Sequence, residues 1–172
     1  MATMGEYVVG AYLKVIEGCD FVDYGARPPG GGLEGLDELD VVGLRFRDRS
    51  AFLCEVTTHL HGMGHASGYE GSLKRIRKKH EAQKRYAEKH LKAFPRSRFM
   101  LWSPVVPRGR LTSELENIEG LELVINEQYT ESVSRLLAEA KKTAADIGNP
   151  FFRALQILQH LRRQPGRPPD AV

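Results

Sequence analysis

Two carboxylates stand where apolar residues would be expected, in the stretch LDELDVVGLRFRDRSAFLCEVTT at 36–58. The stretch predicts two strands, at about 38–46 and 51–58, with Arg47-Asp48-Arg49-Ser50 turning between them. Alternation sets Leu53, Glu55 and Thr57 on one face, and Phe52, Cys54, Val56 and Thr58 on the other. Glu55 thus interrupts an apolar, β-branched segment suited to a sheet interior. A buried carboxylate is costly unless it is paired or holds a cation. Asp40 opens the partner strand in the same way. A hairpin that brings two acidic groups together makes a candidate site for a divalent metal.

Two further stretches carry chemistry-bearing residues. In HLHGMGHASGYEGS, His59, His61 and His65 have a spacing that could hold zinc with one more ligand. The alternatives are a polar connector, or a histidine that orients a water. Residues 71–93 predict a helix with a narrow inward stripe of Leu73, Ile76, His80, Gln83, Ala87, Leu91 and Phe94. Its other faces carry Lys74, Arg75, Arg77, Lys78, Lys79, Lys84, Arg85, Lys89 and Lys92, opposed only by Glu81 and Glu88. The whole chain has a net charge of only +3, so the rest is near neutral or acidic. Such a face is either simply solvated or a surface for phosphates. Directly after a carboxylate hairpin, the second reading is preferred, with Lys74, Arg75, Lys78, Lys84 and Arg85 as contacts to nucleic acid. The glycines of ARPPGGGLEG lack the strand-and-helix context of a nucleotide cradle and are read as a loop.

The remaining elements must position these groups. Val8, Ala11, Tyr12 and Val15 predict a helix over 4–17, ended by Gly18 and followed by a strand at 19–27. RFMLWSPV reads as a central strand at 98–105, with Trp102 in the core rather than stacked on a base. A short helix over 112–118, capped by Thr112, and a strand at 121–125 come next. A helix over 127–147 should turn Val133, Leu136, Leu137, Ala140, Ala144 and Ile147 inward. Asn149 and Pro150 then start a last helix to 162. Its Phe151, Phe152, Leu155, Leu158 and Leu161 would dock on the domain or on a second copy. At 172 residues, one domain over 1–162 is expected, with a core at about 4–125, C-terminal helices at 127–162 and a disordered tail at 163–172. Cys19 and Cys54 lack metal-ligand spacing and read as reduced core residues of a cytoplasmic protein. No apolar stretch reaches the length of a membrane span, so no membrane partner is expected.

The expected class is α/β, a mixed β-sheet sandwiched by helices. The order of elements and the text ELDVVGLRFRDRSAFLCEVTT resemble the PD-(D/E)XK nuclease superfamily, the restriction-endonuclease-like fold, over residues 4–105. That resemblance implies an αβββαβ core with extra C-terminal helices, an Asp opening the second strand and (D/E)-x-K on the third. By position, Asp40 and Glu55 would bind Mg²⁺ or Mn²⁺, with the Val56 carbonyl as a backbone ligand, and Glu6 matches a first-helix glutamate of several members. His59 and His61 are possible additions to the site. The chain departs from the signature at Thr57, which stands where the family has its lysine. Threonine carries no charge with which to position a water or offset the carboxylates. Three outcomes follow: Lys74 or Lys78 reaches the same space; metal works alone with Thr57 or Thr58 holding a water; or the site is a relic. The implied function is a metal-dependent endonuclease hydrolysing DNA phosphodiester bonds in restriction, defence or repair. The alternative is a catalytically inactive module that binds nucleic acid or assembles into a larger complex, as a homodimer or as a subunit.

Overall fold

The computed structural model describes residues 2–27, 38–58 and 68–162. In chain order these form α1 (Met4–Val15), β1 (Phe21–Ala26), β2 (Leu39–Arg45), β3 (Ser50–Val56), α2 (Gly68–His90), β4 (Arg96–Ser103), α3 (Arg110–Glu116), β5 (Leu121–Ile125), α4 (Asn126–Ala140) and α5 (Pro150–Arg162). The class is α/β, with a five-stranded mixed sheet in the order β1-β2-β3-β4-β5. The first three strands are antiparallel neighbours, and β3, β4 and β5 run parallel.

Each face of the sheet carries helices because its strands are apolar on both sides. Phe52 and Cys54 of β3, Val41 of β2, and Met100 and Trp102 of β4 pack under α1, α4 and α5, against Val9, Leu13, Leu136 and Phe152. Leu53 and Ala51 of β3 and Val42 of β2 face α2 at Ala87, while Leu101 and Ile125 meet Ile76 of α2 and Leu115 of α3. Trp102 is fully buried, as its run predicts. Both cysteines are buried and unpaired, and burial pushes the Cys19 thiol up to about 12.

The β2–β3 hairpin is pinned at its turn. Arg45 forks onto Asp48 through Nε at 2.9 Å and Nη2 at 2.8 Å, and Arg49 takes a left-handed φ of 52°. The Phe46 N–H donates to Asp20 Oδ2 at 2.7 Å, tying the turn to the start of β1. α2 is fastened by a buried polar group: Gln83 Nε2 donates to the carbonyls of Leu53 at 3.0 Å and Met100 at 3.4 Å. Gln83→Leu removes both bonds and lowers stability by about 1–3 kcal/mol in urea unfolding. An unchanged midpoint would show that Gln83 is not a fastening.

Three expectations are corrected. α4 ends at Ala140, not at 147, and Ala144 is exposed. Past that point the backbone carbonyls are taken by side chains from elsewhere. Gln156 donates to Thr143 and Ala145, Arg153 to Ala144, and Lys14 to Ile147, so a helical ladder has no call on them. α3 starts at Arg110 after Gly109, with Thr112 inside it and its hydroxyl donating to the Pro107 carbonyl. α5 docks on the domain through Phe152, but Leu158 and Leu161 point outward. Asn149 caps α5 as expected, its Oδ1 accepting from the Phe152 N–H at 2.9 Å. No helix among the described residues is long and apolar enough to cross a membrane.

Candidate functional site

The hairpin register brings the two carboxylates together. Val41 pairs with Cys54 and Val42 with Leu53, so the next step along the antiparallel ladder sets Asp40 opposite Glu55, on the face that α2 covers. At this point β2 and β3 stop exchanging backbone bonds: the Val56 N–H donates to Asp40 Oδ2 at 2.7 Å. Asp40 is thereby oriented by the strand that carries its neighbour.

Glu55 is held from α2. Lys79 Nζ lies 3.2 Å from Glu55 Oε2, and both side chains are nearly buried, 12% and 13% exposed. The same ammonium donates to the Glu38 carbonyl at 3.3 Å, just before β2. Lys79 is placed by helix periodicity. It follows the buried Ile76 by three residues and precedes the buried Gln83 by four, which sets it on the flank of the inward stripe. Arg75, one turn earlier and exposed, adds a smaller favourable charge at Glu55.

The carboxyl of Glu55 is pushed up from its usual 4.5 to about 7. Burial is the largest cause and the charge of Asp40 the next; Lys79, and more weakly Arg75, pull the other way. One ammonium therefore does not fully offset two carboxylates in this setting, and a further positive charge would be accommodated. Asp40 Oδ1 accepts no hydrogen bond among the described residues, so an acceptor oxygen remains for a ligand. No group of three or more His, Cys, Asp or Glu side chains converges among the described residues. The protein donor set here is two carboxylates, which suits a cation that keeps several waters, as Mg²⁺ does.

The other sequence candidates fall elsewhere. Lys74, Lys78 and Arg85 are exposed, and Lys84 pairs with Glu81 at 3.0 Å. Positions 74, 78, 85 and 89 share one outer stripe of α2, turned away from the sheet. Thr57 lies just past β3, its N–H donating to the Trp102 carbonyl at 2.9 Å. Val56 is half-buried beside Asp40 through its N–H. Glu6 is in a capping box with Thr3, accepting from the Thr3 N–H at 3.2 Å, while Thr3 Oγ1 accepts from the Glu6 N–H at 3.3 Å. The first turn of α1 nonetheless lies close to the exit of β3, because a Cβ at Gly5 would run into the Thr58 side chain. His59, His61 and His65 lie outside the described residues.

Sequence reasoning passed over Lys79, although its spacing from Ile76 and Gln83 was a usable signal. No protein-family model, no curated protein and no solved structure matches this chain, so what the site does is argued from its own side chains.

Proposed function

We propose that the Asp40–Glu55–Lys79 cluster is the centre of a metal-dependent nuclease of the PD-(D/E)XK kind, with Lys79 of α2 standing in for the signature lysine missing at Thr57. The observation that carries this reading is the 3.2 Å approach of Lys79 to Glu55, opposite Asp40 on the facing strand. The αβββαβ order from α1 to β4, with Asp40 near the start of β2 and Glu55 near the end of β3, supports it. A helix-borne lysine can supply the positive charge and the N–H donors that threonine lacks.

Asp40 and Glu55 would hold Mg²⁺ or Mn²⁺, which supplies an activated water and neutralises charge on the scissile phosphate. Lys79 keeps Glu55 in position and would donate from its ammonium to the attacking water or to a phosphate oxygen. Arg75 borders the same flank and can hold a neighbouring phosphate. The outer stripe of Lys74, Lys78, Arg85 and Lys89 spans about 22 Å of helix and holds the backbone farther from the chemistry, without reading bases. Lys74→Glu, Lys78→Glu and Arg85→Glu together should weaken DNA binding about tenfold or more at low salt. They should also flatten the salt dependence by up to about three phosphate contacts. Unchanged affinity would make that stripe a solvated face.

The test incubates the full chain with supercoiled and single-stranded DNA in Mg²⁺ or Mn²⁺, beside Asp40→Ala. Metal-dependent cutting lost in Asp40→Ala supports the nuclease. DNA binding without cutting under either metal favours a module that binds nucleic acid and leaves chemistry to a partner.

A further inference from the structure

The second half of α5 is inverted. Gln156 and Gln159 are buried, while Ile157, Leu158 and Leu161 are 51%, 54% and 61% exposed. Gln156 is accounted for, since its amide holds the Thr143 and Ala145 carbonyls at 2.9 Å each. Gln159 is not: it is 5% exposed, and its amide nitrogen has no acceptor among the described residues. A buried donor without an acceptor is uncommon and unfavourable, so it points to a missing partner. Gln159 lines a groove of about 460 Å³ between α5 and the end of α4. Ile157 and Leu161 line it too, with Lys141, Lys142, Arg153 and His160 and no acidic side chain. Lys142 is shared with Glu139 at 2.7 Å, Arg153 donates to the Ala144 carbonyl at 3.0 Å and to Gln156 Oε1 at 3.2 Å, and Lys141 and His160 are engaged as well.

We propose that this groove seats an acidic amphipathic helix of a partner protein. Apolar side chains of that helix would lie on Ile157 and Leu161, acidic ones would face the basic lining of the groove, and a polar oxygen would take the Gln159 amide. Charge selects this occupant. α5 carries Arg153, His160 and Arg162 and no acid, so antiparallel pairing of two copies would set Arg153 of one against Arg162 of the other. Residues 163–172 hold Arg163 and Arg167 against Asp170, with three prolines, a composition neither acidic nor helix-forming. Acyl chains of a membrane offer no acceptor for the buried amide.

The test titrates the full chain calorimetrically with a synthetic helical peptide of about four turns, apolar at i, i+3, i+4 and i+7 and flanked by glutamates. Its lysine-flanked counterpart is the control. Micromolar binding of the acidic peptide, about tenfold or more tighter than the control and weakened by salt, is expected. The variant carrying Ile157→Glu and Leu161→Glu should lose it with an unchanged melting temperature, since both groove-lining side chains are exposed. Equal binding of the two peptides, or none, overturns the proposal. So does a concentration-dependent dimer that this variant dissolves, binding that emerges only when 163–172 are deleted, or binding to phosphatidylserine vesicles in place of the peptide.

Discussion

Lys79→Met should reduce metal-dependent DNA cleavage, the activity proposed for this site, by about 10²- to 10³-fold, the range for losing one preorganised charge or donor. Methionine keeps the reach of the side chain and removes its charge, so packing between α2 and the hairpin is retained. The variant also uncovers a stability effect. With its ammonium gone, Glu55 is a nearly buried carboxylate beside Asp40 with no cation at hydrogen-bonding distance among the described residues. At pH 8 the loss should be about 3 kcal/mol. At pH 5 Glu55 is protonated in both forms, and most of the difference disappears. Lys79→Arg retains the charge and should keep most of the stability. Undiminished cutting by Lys79→Met, in a protein that cuts, would remove Lys79 from the chemistry and leave the metal-alone alternative with Thr57 or Thr58.

Glu55→Gln should stabilise the protein above neutral pH and, if Asp40 and Glu55 hold the proposed cation, abolish any response to divalent cations. The sign follows from the direction of the shift. Glu55 titrates near 4.5 when unfolded and about 7 when folded, so between those values the folded state binds the extra proton. Its contribution to stability therefore falls as pH rises from about 4.5 and is fully lost above about 7, a difference of about 3 kcal/mol. The difference between wild type and Glu55→Gln in chemical unfolding should trace that curve, near zero at pH 4 and largest at pH 8. Mg²⁺ or Mn²⁺ at pH 8 should raise the melting temperature of wild type and leave that of Glu55→Gln unchanged. Parallel pH curves would mean that Glu55 is not held in the folded state as described.

The two carboxylates were legible because they are misfits: Asp40 and Glu55 break an apolar alternation, and period two assigns Glu55 its face. The order of helices and strands was legible from the same contrast of periods. Lys79 was hidden by its own neighbourhood. In a run with Lys74, Arg75, Arg77 and Lys78, charge does not distinguish the one that turns inward. The phase of α2 distinguishes it: the inward stripe of Ile76, His80 and Gln83 was legible, but only packing on the sheet shows that its flank at Lys79 meets Glu55. The early end of α4 was not legible, because Gln156, Arg153 and Lys14, which take the carbonyls of 143–147, come from other parts of the chain. The outward turn of Leu158 and Leu161 was missed for a related reason. α5 reads as amphipathic by composition, but Phe152 and the two glutamines fix its rotation, and the outer leucines follow. Gln83, expected on an inward stripe, gained its role only when β3 and β4 offered it carbonyls.

Mn²⁺ binding followed by electron paramagnetic resonance is the measurement that bears most directly on Asp40 and Glu55 as one cation site. One site per chain is expected at neutral pH, lost in both Asp40→Asn and Glu55→Gln and weakened below pH 7 as Glu55 takes a proton. Binding that survives either substitution, or no binding by the wild type, would contradict the site.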